Sequence, residues 1–127
     1  MINKSFTQSI IVEEKQTAAY LGSGTLPVFA TPAMIALMEN TAMKVLDLPV
    51  ENTSVGIAIE TNHLKACQIG DTIHCKATIK AIDGRKYKFH IIATDENGEL
   101  IGEGTHERVI VDAEKFMSKL KRNYSQF

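Results

Sequence analysis

Long apolar runs, basic clusters and paired cysteine motifs are all missing from this chain, and each absence excludes a class of function. No apolar run approaches the roughly 20 residues of a membrane span, so a membrane partner is not expected. Lys and Arg number 14 against 15 Asp and Glu, a net charge of −1. No basic cluster is longer than K-L-K-R (119–122), which leaves no nucleic-acid footprint. There are only two cysteines, and Cys67 and Cys75 form no C-x-x-C. They read as reduced thiols, in the core or near the surface, in a cytoplasmic protein. The opening M-I-N-K-S-F-T-Q lacks the basic start and apolar core of a signal peptide. Four histidines occur without H-x-H or H-E-x-x-H spacing, so no metal site is expected. The G-x-S-x-G elbow, the phosphate loop and G-x-G-x-x-G are absent too.

What is present is ordinary globular material. At 127 residues, with 44% hydrophobic and 23% charged content, residues 1–127 read as one domain with a real core. Ser9 to Glu13 (S-I-I-V-E) reads as a short strand. Thr17 to Leu21 makes one helical turn, broken by G-S-G (22–24). Thr31 then offers an N-cap and Pro32 suits the first helical position. Apolar residues from Met34 to Leu46 recur at helical spacing, and Leu48-Pro49 ends the run. They cover more than half of the helix, which predicts a helix packed on a sheet.

Four strands are expected next, as a meander: 55–65, 71–82, 86–95 and 100–111, with hairpin signals at D-G (83–84) and N-G (97–98). Ile73, Cys75, Ala77 and Ile79 alternate onto one face, as do Tyr87, Phe89, Ile91 and Ala93. Asp112 caps a closing helix with Ala113, Phe116, Met117 and Leu120 in one stripe, and Lys119, Lys121 and Arg122 near its C-terminus. The order predicts an α+β fold, an antiparallel sheet wrapped around one long buried helix. Such a sheet leaves an edge uncovered, which predicts a homodimer or a higher homo-oligomer.

A hydroxyl, a carboxylate and an imidazole are the parts of an acyl-transfer site, and Thr31, Glu39 and His63 supply them. Each has a plainer explanation. Capping accounts for Thr31. Glu39 borders the apolar stripe with Ile35 and Met43 at i±4, so no cation on its own helix answers it. It either reaches water or, if buried, must be hydrogen-bonded, paired or protonated. His63 ends a face shared with Val55, Ile57, Ile59 and Thr61 and reads equally as a core histidine. His106 is a second interior candidate, whereas His74 and His90 fall on polar positions.

Three collinear blocks extend this reading: V-F-A-T-P-A-M-I-A-L-M-E (28–39), V-G-I-A-I-E-T-N-H (55–63) and G-E-G-T-H-E-R-V-I-V-D-A-E-K-F (102–116). On these the chain resembles the fluoroacetyl-CoA thioesterase-like branch of the hot-dog thioesterases, over some three-quarters of its length. The resemblance implies the hot-dog fold, a homodimer and hydrolysis of a small or medium acyl-CoA thioester to free acid and CoA. It implies no metal or redox cofactor, CoA entering only as leaving group. By the same resemblance Thr31, Glu39 and His63 form the catalytic set, while Gly56 and Arg108 contact substrate. The fluoroacetyl-specific enzyme carries an aromatic gate just before the first block, where Thr25 or Leu26 stands here. Thioester hydrolysis is thus implied without fluoroacetyl selectivity. A non-catalytic acyl-CoA-binding hot-dog module is the alternative.

Overall fold

The computed structural model describes residues 1–125, with side chains through Lys121, so the Arg122 side chain lies outside the described residues. Strand β1 (Ser5–Ile11) opens the chain, followed by a 3-10 turn (Glu14–Gln16) and the short helix α1 (Ala18–Leu21). Helix α2 (Thr31–Val45) precedes β2 (Asn52–His63), β3 (Thr72–Asp83), β4 (Lys86–Thr94) and β5 (Leu100–Asp112), and α3 (Ala113–Ser125) follows. All five strands form one antiparallel sheet in the order β1-β3-β4-β5-β2.

The expected meander of four strands holds for three. D-G and N-G turn β3 into β4 and β4 into β5, with Gly84 and Gly98 at φ of 60° and 79°. No such signal joins β2 to β3. The connection crosses the sheet instead, and β2 pairs with β5 at the far edge. The first strand also starts earlier than the apolar run suggested. Its polar S-F-T-Q stretch is recruited by pairing, Ser5 opposite Thr78 through Ile11 opposite Thr72.

Helix α2 lies on the sheet and buries Met34, Leu37, Met38, Thr41, Ala42 and Val45. Beneath it Ile73, Cys75, Ala77, Ile79, Phe89, Ile91 and Ala93 form the core floor, all at most 1% exposed. Close approach to β5 depends on Gly102, where a Cβ would stand 2.5 Å from Met34 Sδ. Both cysteines are free and buried. Asp112 caps α3 as expected, its Oδ1 accepting from Lys115 N at 3.0 Å. Among the described residues no helix is long and apolar enough to cross a membrane.

Thr31 does not cap α2. Ala30 occupies the cap position, with extended backbone and no side-chain bond, and its carbonyl accepts from Met34 N at 3.0 Å. Thr31 is the first helical residue and Pro32 the second. The hydroxyl is turned elsewhere.

Candidate active site

The Thr31 hydroxyl meets His63, with Oγ1 and Nδ1 2.8 Å apart. The start of α2 and the end of β2 are thereby tied together. The imidazole stands edge-on to the Phe29 ring, with centroids 6.2 Å apart and planes at 81°. Its Nε2 is buried with no hydrogen-bond partner among the described residues. Burial lowers the His63 pKa, against a smaller opposite effect from the Lys65 backbone. The ring is therefore a neutral base at neutral pH.

Glu39 lies eight residues further along α2, about 12 Å up the helix axis. Its carboxylate rests on Gly56 of β2, where a Cβ would come within 2.7 Å of Oε2. The side chain is 41% exposed, so it is neither dissolved in water nor sealed in the core. Its counter-charge comes from β5. Arg108 Nη1 stands 3.8 Å from Glu39 Oε2, on a side chain only 8% exposed.

Gly56 and His63 both face α2, although they are seven residues apart and would point oppositely along a regular strand. The irregularity between Gly56 and Ala58 inserts one residue, Ile57, and restores the common face. Gly56 and His63 nevertheless remain on the order of 20 Å apart along the strand. One chain therefore places Thr31 with His63 at one end of β2 and Glu39 with Arg108 at the other.

Residues 12–114 match the family described as fluoroacetyl-CoA-specific thioesterase. The fluoroacetyl-CoA thioesterase of Streptantibioticus cattleyicolor is 31% identical over 129 aligned positions, covering 95% of this chain and 92% of that one. The chain belongs to the fluoroacetyl-CoA-specific thioesterase family. A solved structure of a fluoroacetyl-CoA thioesterase superposes with a TM-score of 0.89 at 30% identity, covering 96% of both chains. A variant of such an enzyme in complex with fluoroacetate and CoA gives a TM-score of 0.85 at 30% identity, covering 91% of this chain and 98% of that chain. A thioesterase superfamily member from Thermus thermophilus, at 24% identity and a TM-score of 0.89 over 100% of this chain and 97% of its own, shares the hot-dog fold.

The span matched to the family contains Thr31, Glu39, Gly56, His63 and Arg108. Sequence reasoning missed Ser54, whose hydroxyl accepts from Arg108 Nε at 2.8 Å and whose carbonyl accepts from Nη2 at 2.9 Å. A signal for it existed. Ser54 and Gly56 share a face of β2, as His106 and Arg108 share one of β5, and Gly56 pairs with Arg108. Leu26 lies in the loop between α1 and α2 and is 63% exposed.

Proposed function

We propose that this chain works as a homodimer in which each active site takes Glu39 from one chain and Thr31 with His63 from the other. The substrate is a small or medium acyl-CoA thioester, hydrolysed to free acid and CoA. Family membership supplies the thioester hydrolysis. The shared site rests on one observation: the two half-sites lie at opposite ends of an uncovered edge strand. Gly56, Ala58, Glu60 and Asn62 are exposed along β2, and Ile57 is 52% exposed. A second copy pairing antiparallel about a two-fold axis near Ile59 and Glu60 would cover this edge. That same pairing carries Gly56, with Glu39 upon it, beside the partner's His63.

In the assembled site the thioester carbonyl lies at the start of α2, where the N–H groups of the first turn lack intrahelical acceptors and favour a developing oxyanion. Thr31 orients that carbonyl. Glu39 takes a proton from the attacking water, or adds to the carbonyl itself and forms an anhydride that water then opens. With water as nucleophile, one C–O bond forms and the C–S bond breaks. With Glu39 as nucleophile, the same two changes give the anhydride and release CoA thiolate. Water then forms a second C–O bond as the one to Glu39 breaks. On the first route the proton that Glu39 takes from water passes through His63 to the departing CoA sulfur. On the second, His63 takes the proton of the water that opens the anhydride, and the thiolate already released is protonated from solvent.

Glu39→Gln and His63→Ala should each lower kcat by on the order of 10²-fold with the fold retained. Mixing the two variants under subunit exchange should then restore about a quarter of wild-type activity, because half of the dimers carry one intact site. Near-normal turnover by both variants would end the site assignment. Failure to recover on mixing would end the shared site and leave hydrolysis standing. Saturable acyl-CoA binding by the wild type, with no thiol released, would make the chain a binding module.

A further inference from the structure

We infer that His106 is a positioning residue that holds the Arg108 guanidinium one step back from Glu39. The inference rests on the reading of Glu39 as the catalytic carboxylate. His106 is 1% exposed, yet it completes a directional chain of bonds. Its Nδ1 is 2.7 Å from the carbonyl of Ala58, the residue after the β2 irregularity. A carbonyl can only accept, so Nδ1 carries the proton and Nε2 is left as an acceptor. Arg108 Nη1 donates to that Nε2 at 3.1 Å.

The guanidinium is therefore anchored at three points, Ser54 Oγ, Ser54 O and His106 Nε2. From that position Nη1 stops 3.8 Å short of Glu39 Oε2, beyond hydrogen-bond length. The charge is close enough to hold the carboxylate in place and too far to occupy its lone pairs. Those lone pairs stay available for water or for the thioester. Burial holds the His106 imidazole neutral, and the Arg108 charge acts in the same direction against a backbone bond to Ala58. The charged or titratable groups bearing on the imidazole are Arg108, Glu39 and Glu107. On α2, the Glu39 neighbours Ile35 and Met43 bring no charge.

Without an acceptor at residue 106, Nη1 has Glu39 as its remaining partner, and the pair closes into a direct charge-assisted bond. A carboxylate so occupied is a poorer base and a poorer nucleophile. The test compares His106→Leu with His106→Gln, which keeps an acceptor oxygen near the place of Nε2. His106→Leu should lower kcat by about 10-fold or more while KM stays within about 3-fold, and His106→Gln should recover most of the loss. In a crystal structure of His106→Leu the Nη1–Oε2 distance should fall to about 3 Å. Should that variant not fold, Ser54→Ala removes another anchor and should lower kcat with the same short contact. Equal losses in the Leu and Gln variants, or an unmoved Arg108 in His106→Leu and Ser54→Ala, would overturn the inference. Normal turnover by Glu39→Gln would instead remove the reading beneath it, while the crystallographic distance would still test the anchor.

Discussion

Gly56 shows how little room the candidate site leaves. A Cβ there would lie 2.7 Å from Glu39 Oε2, 3.1 Å from His106 Cε1 and 3.3 Å from Arg108 Nη1. The carboxylate can swing away, but the two buried β5 side chains cannot. Gly56→Ala should therefore lower kcat by on the order of 10²-fold by displacing Glu39, with a stability cost of about 1–3 kcal/mol. Steady-state thiol release and urea unfolding on the same preparation separate the two. At this scale the sequence was partly legible. Glu39 stood out because no cation on its own helix answered it. Its answer, Arg108, sits on a strand that local spacing cannot relate to α2. Thr31 misled for a simpler reason. A hydroxyl before Pro32 satisfies the capping pattern whether or not it turns to the helix, and here His63 takes it.

Strand β2 is held to β5 through glycine as well as through backbone bonds. At Gly104 a Cβ would overlap the Glu60 carbonyl and stand 2.7 Å from Thr61 Cβ. Gly104→Ala should cost about 3 kcal/mol, because the obstacle is strand backbone that has nowhere to move. Urea unfolding measures the total, and amide exchange should show the loss concentrated in β2. The hairpins β3–β4 and β4–β5 were readable from D-G and N-G, since those dipeptides accept the backbone that a tight turn demands. The place of β2 was not. A strand joined by a long crossing segment carries no local mark of its neighbour, and simple alternation sets Gly56 and His63 on opposite faces, which only the bulge at Ile57 reverses. The polar start of β1 was missed because cross-strand pairing, not hydrophobic period, makes it a strand.

Across the whole molecule, acid should act through one buried imidazole, His106, and one half-buried, His63. The pKa values of His63 and His106 are both lowered from 6.5, chiefly by burial. A lowered folded-state pKa means that the unfolded chain binds more protons over the interval between the two values. Stability contributed by the neutral rings is thus fully present above 6.5 and is lost as pH falls through the folded values. Denaturant unfolding followed from pH 7.5 down to about 5 should show falling stability, with a shallower fall in His106→Gln. An increase in stability on acidification would contradict the neutral burial of both rings. The α+β class, the buried helix and the family blocks were legible at this scale because they are carried by long periodic segments. The separation of Thr31 and His63 from Glu39 and Arg108 along one edge strand was not, since it depends on which edge of the sheet β2 occupies.

The strand order also sets when the chain can finish folding. Asn52 pairs with Asp112 and His63 with Gly102, so β2 emerges from the ribosome well before its neighbour in the sheet, β5. Strands β3, β4 and β5 can zip together as hairpins in the order they are made. Strand β2 must wait, with a bare backbone edge, until the last strand arrives. Gly56 cannot settle under Glu39 before that closure. The contact of Gly56 with Glu39 and Arg108 is therefore among the last to form during synthesis, and a chain cut short before Gly102 would keep the β3–β4 hairpin but not that contact.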